Sequence, residues 1–324
     1  MRIRRVWPAG SEGCGGRHIR HGLRLVILVA APALLTTACG TAGSSSGTGT
    51  YPTGPDLAYV SNGSGLVPFN LVNHSIGRPI AVGRVSGFRA ITIAPGGRWA
   101  YVIGTSGIEP LNLATGAFGR PISTIHGWQS ISLDVTSQTL YLTGGGGFNS
   151  IVPVSVKTGI AARPIPVPGT PAGIKVSPDG RTAYVITHGG ATLTPVDLTT
   201  GVLGTDITVP DGVTELAITA DGRTAYATGS MGDVVGKQSF SYVTPINLTT
   251  GVAGAPIALL HAPYGIALSP DGRTAYVTGG NYPAGSVGPP TPPDVTSINL
   301  IAGRVEATFS IPGGAGSIFN GTSG

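Results

Sequence analysis

The sequence predicts an all-β fold: one β-propeller of six four-stranded blades, with the first and last strands sharing a blade. Three observations carry this. The nine residues SPDGRTAYV at Ser177–Val185 return letter for letter at Ser269–Val277, and as TADGRTAYA at Thr219–Ala227. Their Tyr recurs at Tyr59, Tyr101, Tyr141, Tyr184, Tyr226 and Tyr276, a period of roughly 40–50 residues that suits a propeller blade. A second mark follows each Tyr: PFNL from Pro68, PLNLATG from Pro110, PVSVKTG from Pro153, PVDLTTG from Pro195, PINLTTG from Pro245 and SINLIAG from Ser297. Six pairs of marks predict six blades, with seven as the alternative count.

The fifth unit shows the strands in order. Glu215–Thr219 is the inner strand a, and Ala220-Asp-Gly222 reverses the chain. Asp tolerates bridge-region backbone there, and Gly supplies the positive φ of a tight hairpin. Thr224–Thr228 is strand b. Thr244–Leu248 is strand c, ending at Thr249-Thr-Gly251, and Ala255–Leu259 is strand d. Prolines in c and d place both toward the outer edge, where a missing N–H is tolerated. The third unit lacks the Asp-Gly turn and reads Asp134-Val-Thr-Ser-Gln138 instead. The first unit opens on strand b at Asp56–Val60, and the chain ends with Ala315–Asn320, which has the pattern of a lone strand a. The two ends are expected to complete one blade, with Ile318 beside the strand of Tyr59, which removes an exposed sheet edge.

Composition agrees. The 324 residues include 53 Gly and 27 Pro, and only 10% are charged; many short strands joined by turns have this profile. The formal net charge of +5 lies in the leader, where residues 1–38 hold six Arg and one Glu. The remainder balances 13 basic against 13 acidic residues. Its body therefore lacks the clustered Lys and Arg that a nucleic-acid surface needs.

Residues 1–38 read as a signal peptide: a basic stretch, then the apolar run Leu25–Leu35, too short to span a bilayer permanently. The run ends at Leu35-Thr-Thr-Ala-Cys39, which resembles a bacterial lipobox, although Leu35 stands four residues before the Cys rather than three. The resemblance implies export, lipidation of Cys39 and anchoring to the outer side of the bacterial cytoplasmic membrane. Residues 39–54 are then the lipidated Cys and a flexible Gly/Ser/Thr tether, and 55–324 the propeller. With Cys14 lost and Cys39 lipidated, the body keeps no thiol, which excludes disulfides, Cys nucleophiles and Cys-bound metal.

The units also resemble the YVTN family of β-propeller repeats. The matching stretches are LAYVSN at Leu57–Asn62, AYVIG at Ala100–Gly104, AYVTGG at Ala275–Gly280 and GIALSPDG at Gly265–Gly272, and the likeness spans residues 56–324. It departs in carrying Gly where the family often carries Asn. The family implies a six- or seven-bladed ring, and similar propellers host lactone hydrolysis.

Candidate ligand-binding residues sit where the d–a connections enter the channel mouth: Arg89, His126, Trp128, Gln129, His261 and Tyr264, with Glu215 one step inside. Lys175 and Glu215 interrupt an inner column otherwise made of small residues, as an ion pair between blades or as polar groups facing the channel. The b–c connections share the face of that mouth. They span 19 and 21 residues in units five and six against 9 to 12 elsewhere. Asp233, Lys237, Phe240 and Tyr282 lie in these long connections, and unequal loops on a regular scaffold concentrate function. His74, His126, His188 and His261 fall in separate blades, so neither a metal nor another cofactor is expected. No carboxylate pair is selected by spacing, and no catalytic residue is assigned. The reading is a monomeric, lipid-anchored scaffold that binds a protein or small molecule through its loop face. A lactonase-like hydrolase at the channel mouth is the alternative.

Overall fold

The computed structural model of the chain describes residues 51–62, 65–82, 89–104, 107–122, 127–136, 138–144, 149–187, 192–231, 240–280 and 294–320, the side chains of Met231 and Phe240 excepted. The leader, Cys39 and most of the tether lie outside them.

Six antiparallel sheets form the six blades of a propeller. The inner strands are Ile318–Asn320 in blade one, Ala90–Ile93 in two, Ser130–Asp134 in three, Pro171–Val176 in four, Val213–Ile218 in five and Ala262–Leu268 in six. The ring closes as the sequence predicts: in blade one, Tyr59 pairs with Phe319 and Val60 with Ile318.

The two recurrent marks are cross-strand partners. Each Tyr of strand b stands opposite the Pro of strand c: Tyr59 with Pro68, Tyr101 with Pro110, Tyr141 with Pro153, Tyr184 with Pro195 and Tyr226 with Pro245. In blade six Tyr276 faces Ser297. An aromatic ring and a facing Pro pack as one cross-strand unit, so the marks recur together.

Strand c proves to be the third of four strands and not an edge. Its Pro is accommodated because strand d breaks. The carbonyls of Pro68, Pro110, Pro153, Pro195 and Pro245 each accept an N–H from the outer segment, from Gly77, Gly119, Ala162, Gly204 and Gly254. A strand residue's N and C=O point to the same side, so the missing N–H also faces strand d. The outer strands of blades one to four are accordingly cut to two residues. In blade five the outer strand is split into Val252–Ala253 and Ile257–Leu259 instead of running through Ala255–Leu259. Blade six has Ser297 at the Pro position, and its outer strand runs unbroken over Arg304–Ser310.

The repeated nonapeptide is a hydrogen-bonded a–b turn. Ser177 Oγ donates to Asp179 Oδ1 at 2.6 Å, that oxygen accepts the Arg181 N–H at 3.1 Å, and Ser177 Oγ accepts the Thr182 N–H at 3.0 Å. Gly180 sits at φ +70°. Thr219, Asp221, Arg223 and Thr224 repeat this network in blade five, as do Ser269, Asp271, Arg273 and Thr274 in blade six. The hydroxyl first, and then the Arg N–H, hold all three Asp below the ordinary carboxylate range. Blade three substitutes a different device, in which Asp134 Oδ1 accepts both the N–H and the hydroxyl of Thr136 while Gln138 takes φ +54°.

Packing lies between blades. Ile91, Ile131, Ile174, Leu216 and Ile266 form one buried row of the inner strands, and Ile93, Leu133, Val176, Ile218 and Leu268 the next. The opposite column is small, so neighbouring strands approach closely. Gly265 shows why: a Cβ there would lie 2.7 Å from the N of Ile318 in the closing strand. The same seam is held on its outer side by His74, which stands at φ +59° where blades two to six have Gly. Its Nε2 lies 2.9 Å from the Tyr276 hydroxyl, which donates to Leu71 O, and its ring packs 4.5 Å from that of Phe309.

Candidate functional site

Among the described residues, the central channel and a cleft between blades five and six carry polar groups whose hydrogen-bonding capacity is unspent.

The channel is lined by inner-strand residues including Ala90, Thr92, Ser130, Lys175, Glu215 and Asn320. Glu215 pairs with Thr228 across its blade, and Lys175 with Tyr184 across the preceding one. Ala217, two residues beyond Glu215, pairs with Tyr226. Lys175 therefore matches Ala217 in the repeat and sits one step closer to the a–b turns than Glu215, about 7 Å along the strand direction. Other blades place Ala90, Ser130, Gly173 and Gly265 in the row of Glu215, and Thr92, Ser132, Ala217 and Ala267 in the row of Lys175. The fold thus does not need charge here. Both side chains are surrounded by protein yet partly open, as the wall of a narrow channel must be. Burial pushes the Lys175 ammonium below its ordinary range, with the Glu215 charge opposing. Burial pushes Glu215 up, opposed by Lys175 and by the Leu216 N–H, which its Oε1 accepts at 3.2 Å. The Lys175 ammonium makes no hydrogen bond or ion pair to any described residue, so charge attraction and not contact links it to Glu215.

The cleft lies between blades five and six on the side of the b–c connections. Leu259, Leu260 and His261 of the d–a connection form one wall, and Val277, Asp294, Thr296 and Val305 of blade six the other. Its closed interior holds about 40 Å³, room for a small group at the base of an open cleft. His261 Nδ1 and Asp294 Oδ1 are both buried without a hydrogen-bond partner. Leu260 is 82% exposed. Unpaired buried polar atoms in a cleft lined by Leu, Val and Thr side chains are a pattern a ligand can complete.

The remaining sequence-derived candidates are dispersed. Arg89 is exposed just before the inner strand of blade two. Trp128 is 1% exposed within the apolar cluster of Tyr101, Ile103 and Ile131. Gln129 is exposed and lies over Gly144, and Tyr264 is 45% exposed over Gly280. Glu215 lies in the channel wall and His261 in the cleft. His126, Asp233, Lys237, Tyr282 and the Phe240 side chain lie outside the described residues. Asp294 and Leu260 were not singled out from sequence. Asp294 directly follows the longest b–c connection and opens strand c, the one local signal that could have marked it. Among the described residues no group of three His, Cys, Asp or Glu converges.

No family model and no curated protein matches the chain. Solved structures do. Hydrazine synthase of Kuenenia stuttgartiensis aligns at TM-score 0.56 and 22% identity over 68% of this chain and 64% of its own. A chain of a nidogen/laminin complex aligns at TM-score 0.62 and 14% identity over 83% of this chain and 98% of its own. TolB from Acinetobacter baumannii aligns at TM-score 0.62 and 12% identity over 81% of this chain and 64% of its own. The chain is a six-bladed β-propeller. At these identities the likeness shows architecture, a scaffold often used in binding, and assigns no function.

Proposed function

We propose that this chain is a lipid-anchored binding module of the YVTN-repeat type whose ligand seats on the b–c loop face, in the cleft between blades five and six. The observation that supports it is the pair of buried, unpartnered atoms, His261 Nδ1 and Asp294 Oδ1, set among Leu259, Leu260, Val277 and Val305. This chemistry suits an apolar group that carries a hydrogen-bond donor, such as an amine or amide. The donor would meet the Asp294 carboxylate or the His261 ring, and the apolar body the aliphatic walls. Hydrolysis at the channel mouth gains no support, because Glu215 and His261 line different cavities. The anchoring part rests on the sequence of residues 25–39.

A thermal-shift screen of aliphatic and aromatic amines and amides tests the cleft. Ligands that raise the melting temperature of the wild type should fail to do so with Leu260→Asp and with Asp294→Ala. Hits indifferent to both substitutions, or turnover of a lactone panel abolished by Glu215→Gln, would overturn the assignment.

A further inference from the structure

Ten large apolar side chains stand exposed among the described residues. Two of them, Leu260 and Tyr264, are on the loop face. Val305 lines the cleft of blades five and six, and the other seven lie in or just after the c–d turns, at the opposite end of the blades. Five of these are more than 60% exposed, in five different blades: Val72 at 67% and Ile301 at 76% inside the turns of blades one and six, and Ile160 at 68%, Val202 at 64% and Val252 at 61% directly after the turn Gly of blades three, four and five. Isolated surface aliphatics need no explanation, but a series confined to one end of a closed ring does. Burial within the blade does not account for it, since these side chains are mostly in solvent.

The missing blade is the informative one. Blade two has Ala114 where blades one and six have Val72 and Ile301, and Ala117 where blades three to five have Ile160, Val202 and Val252, and there the polypeptide enters the propeller. Tyr51 donates its N–H to Ala114 O at 2.7 Å, in the c–d turn of blade two. Its ring packs over Gly116, where a Cβ would lie 3.2 Å away, and the Arg78 guanidinium sits 5.8 Å from the ring centroid. The point of entry is therefore fixed on the aliphatic end of the ring. From Gly40 to Tyr51 the chain has twelve residues, about 40 Å if fully extended and about 20 Å as a flexible coil. An anchor at Cys39 holds this end close to the bilayer and the other end away from it. The same end carries exposed Arg98, Arg181, Arg223 and Arg273, one in each of four a–b turns, of which the last three stand two residues after the exposed Asp179, Asp221 and Asp271 while Arg98 has no acidic neighbour in its turn.

We propose that the c–d turn rim is a membrane-contacting surface, on which Val72, Ile160, Val202, Val252 and Ile301 rest in the headgroup region of the bilayer to which Cys39 is attached. The inference rests on the anchoring part of the proposed function. It sets the orientation of the whole ring, with the cleft of blades five and six facing away from the membrane. Each contact alone is weak, but a tether this short keeps the rim at high effective concentration next to the lipid.

The mature chain has no Cys beyond Cys39, so single reporters can be placed cleanly. Val252→Cys and Leu260→Cys, each labelled with an environment-sensitive fluorophore, are prepared as the full exported chain and reconstituted in phosphatidylethanolamine/phosphatidylglycerol vesicles containing spin-labelled lipid. Quenching is expected at Val252→Cys and not at Leu260→Cys. In a Val72→Ser/Val202→Ser/Ile301→Ser background, quenching at Val252→Cys should fall severalfold while the melting temperature stays unchanged. Recovery of the wild-type chain in the soluble fraction overturns the anchoring and the orientation together. Membrane recovery with equal quenching at the two positions, or with stronger quenching at Leu260→Cys, overturns the orientation alone.

Discussion

Replacing Ile318 by Ala tests ring closure directly. Ile318 is 1% exposed and packs in the seam cluster with Val60, Val67, Phe69 and Ala267. Burial of this kind loses about 2–5 kcal/mol when Ile is cut to Ala, and most where the surroundings cannot collapse into the space. Here they cannot. The strand is paired at Ala58, Tyr59 and Val60 on one side, and on the other side Gly265 already brings the backbones as close as a missing Cβ allows. The upper half of the range, about 3–5 kcal/mol, is therefore expected. At about 2–4 °C per kcal/mol for a domain of this size, the melting temperature should fall by roughly 10 °C. Ile301→Ala, in the same blade as Gly265 but 76% exposed, is the control and should stay within about 0.5 kcal/mol. Hydrogen exchange gives a local reading, because the Ser61 N–H is protected by Ser317 O at 2.8 Å. In a chain ending at Gly314 that amide should exchange as fast as a free edge. If Ile318→Ala is as stable as Ile301→Ala, or if Ser61 keeps its protection in the shortened chain, the last strand does not close the ring.

Three further outcomes are expected. Glu215 holds its proton above its ordinary pKa of 4.5 because burial disfavours the charge; above pH 4.5 the unfolded chain releases that proton first, so wild-type stability falls as pH rises through this window, and Glu215→Gln should remove the fall in denaturant titrations at pH 4 to about 7. Ser297→Pro should break the strand Arg304–Ser310 as Pro does in the other blades, seen as fast exchange at the amides of that strand with a loss of about 1–3 kcal/mol. His74→Ala should destabilise the seam by about 1–2 kcal/mol, and His74→Gly by about 1 kcal/mol less, because Gly relieves the positive φ; equal melting temperatures for the two would show that His74 carries no backbone strain.

The blade count, the strand order and the shared first blade were legible because each depends on local chemistry repeated in sequence. An Asp-Gly turn, a Tyr and a Pro-headed strand recur, and a repeat must place equivalent residues equivalently. The role of Pro was less legible. Its missing N–H was read as marking an edge strand, whereas the structure keeps strand c inside the sheet and breaks strand d beside it. Which side of a strand an N–H faces depends on register, which a one-residue slip would reverse. The candidate site was read only in part. Glu215 and His261 were singled out, but the mouth expected to join them is two cavities, and Trp128 proves to be core.

Sequence alone determined the module and its number, since turn chemistry and strand pairing act between residues close in the chain. Tertiary structure decided what happens between modules: Gly265 admitting the closing strand, Asp294 meeting His261 in one cleft, Lys175 below Glu215 in the channel, and five separate aliphatic turns gathered at one end with the entering chain in the sixth place. Those relations join residues of different blades. They depend on how each blade is set against the next, a property of the closed ring that no single repeat contains.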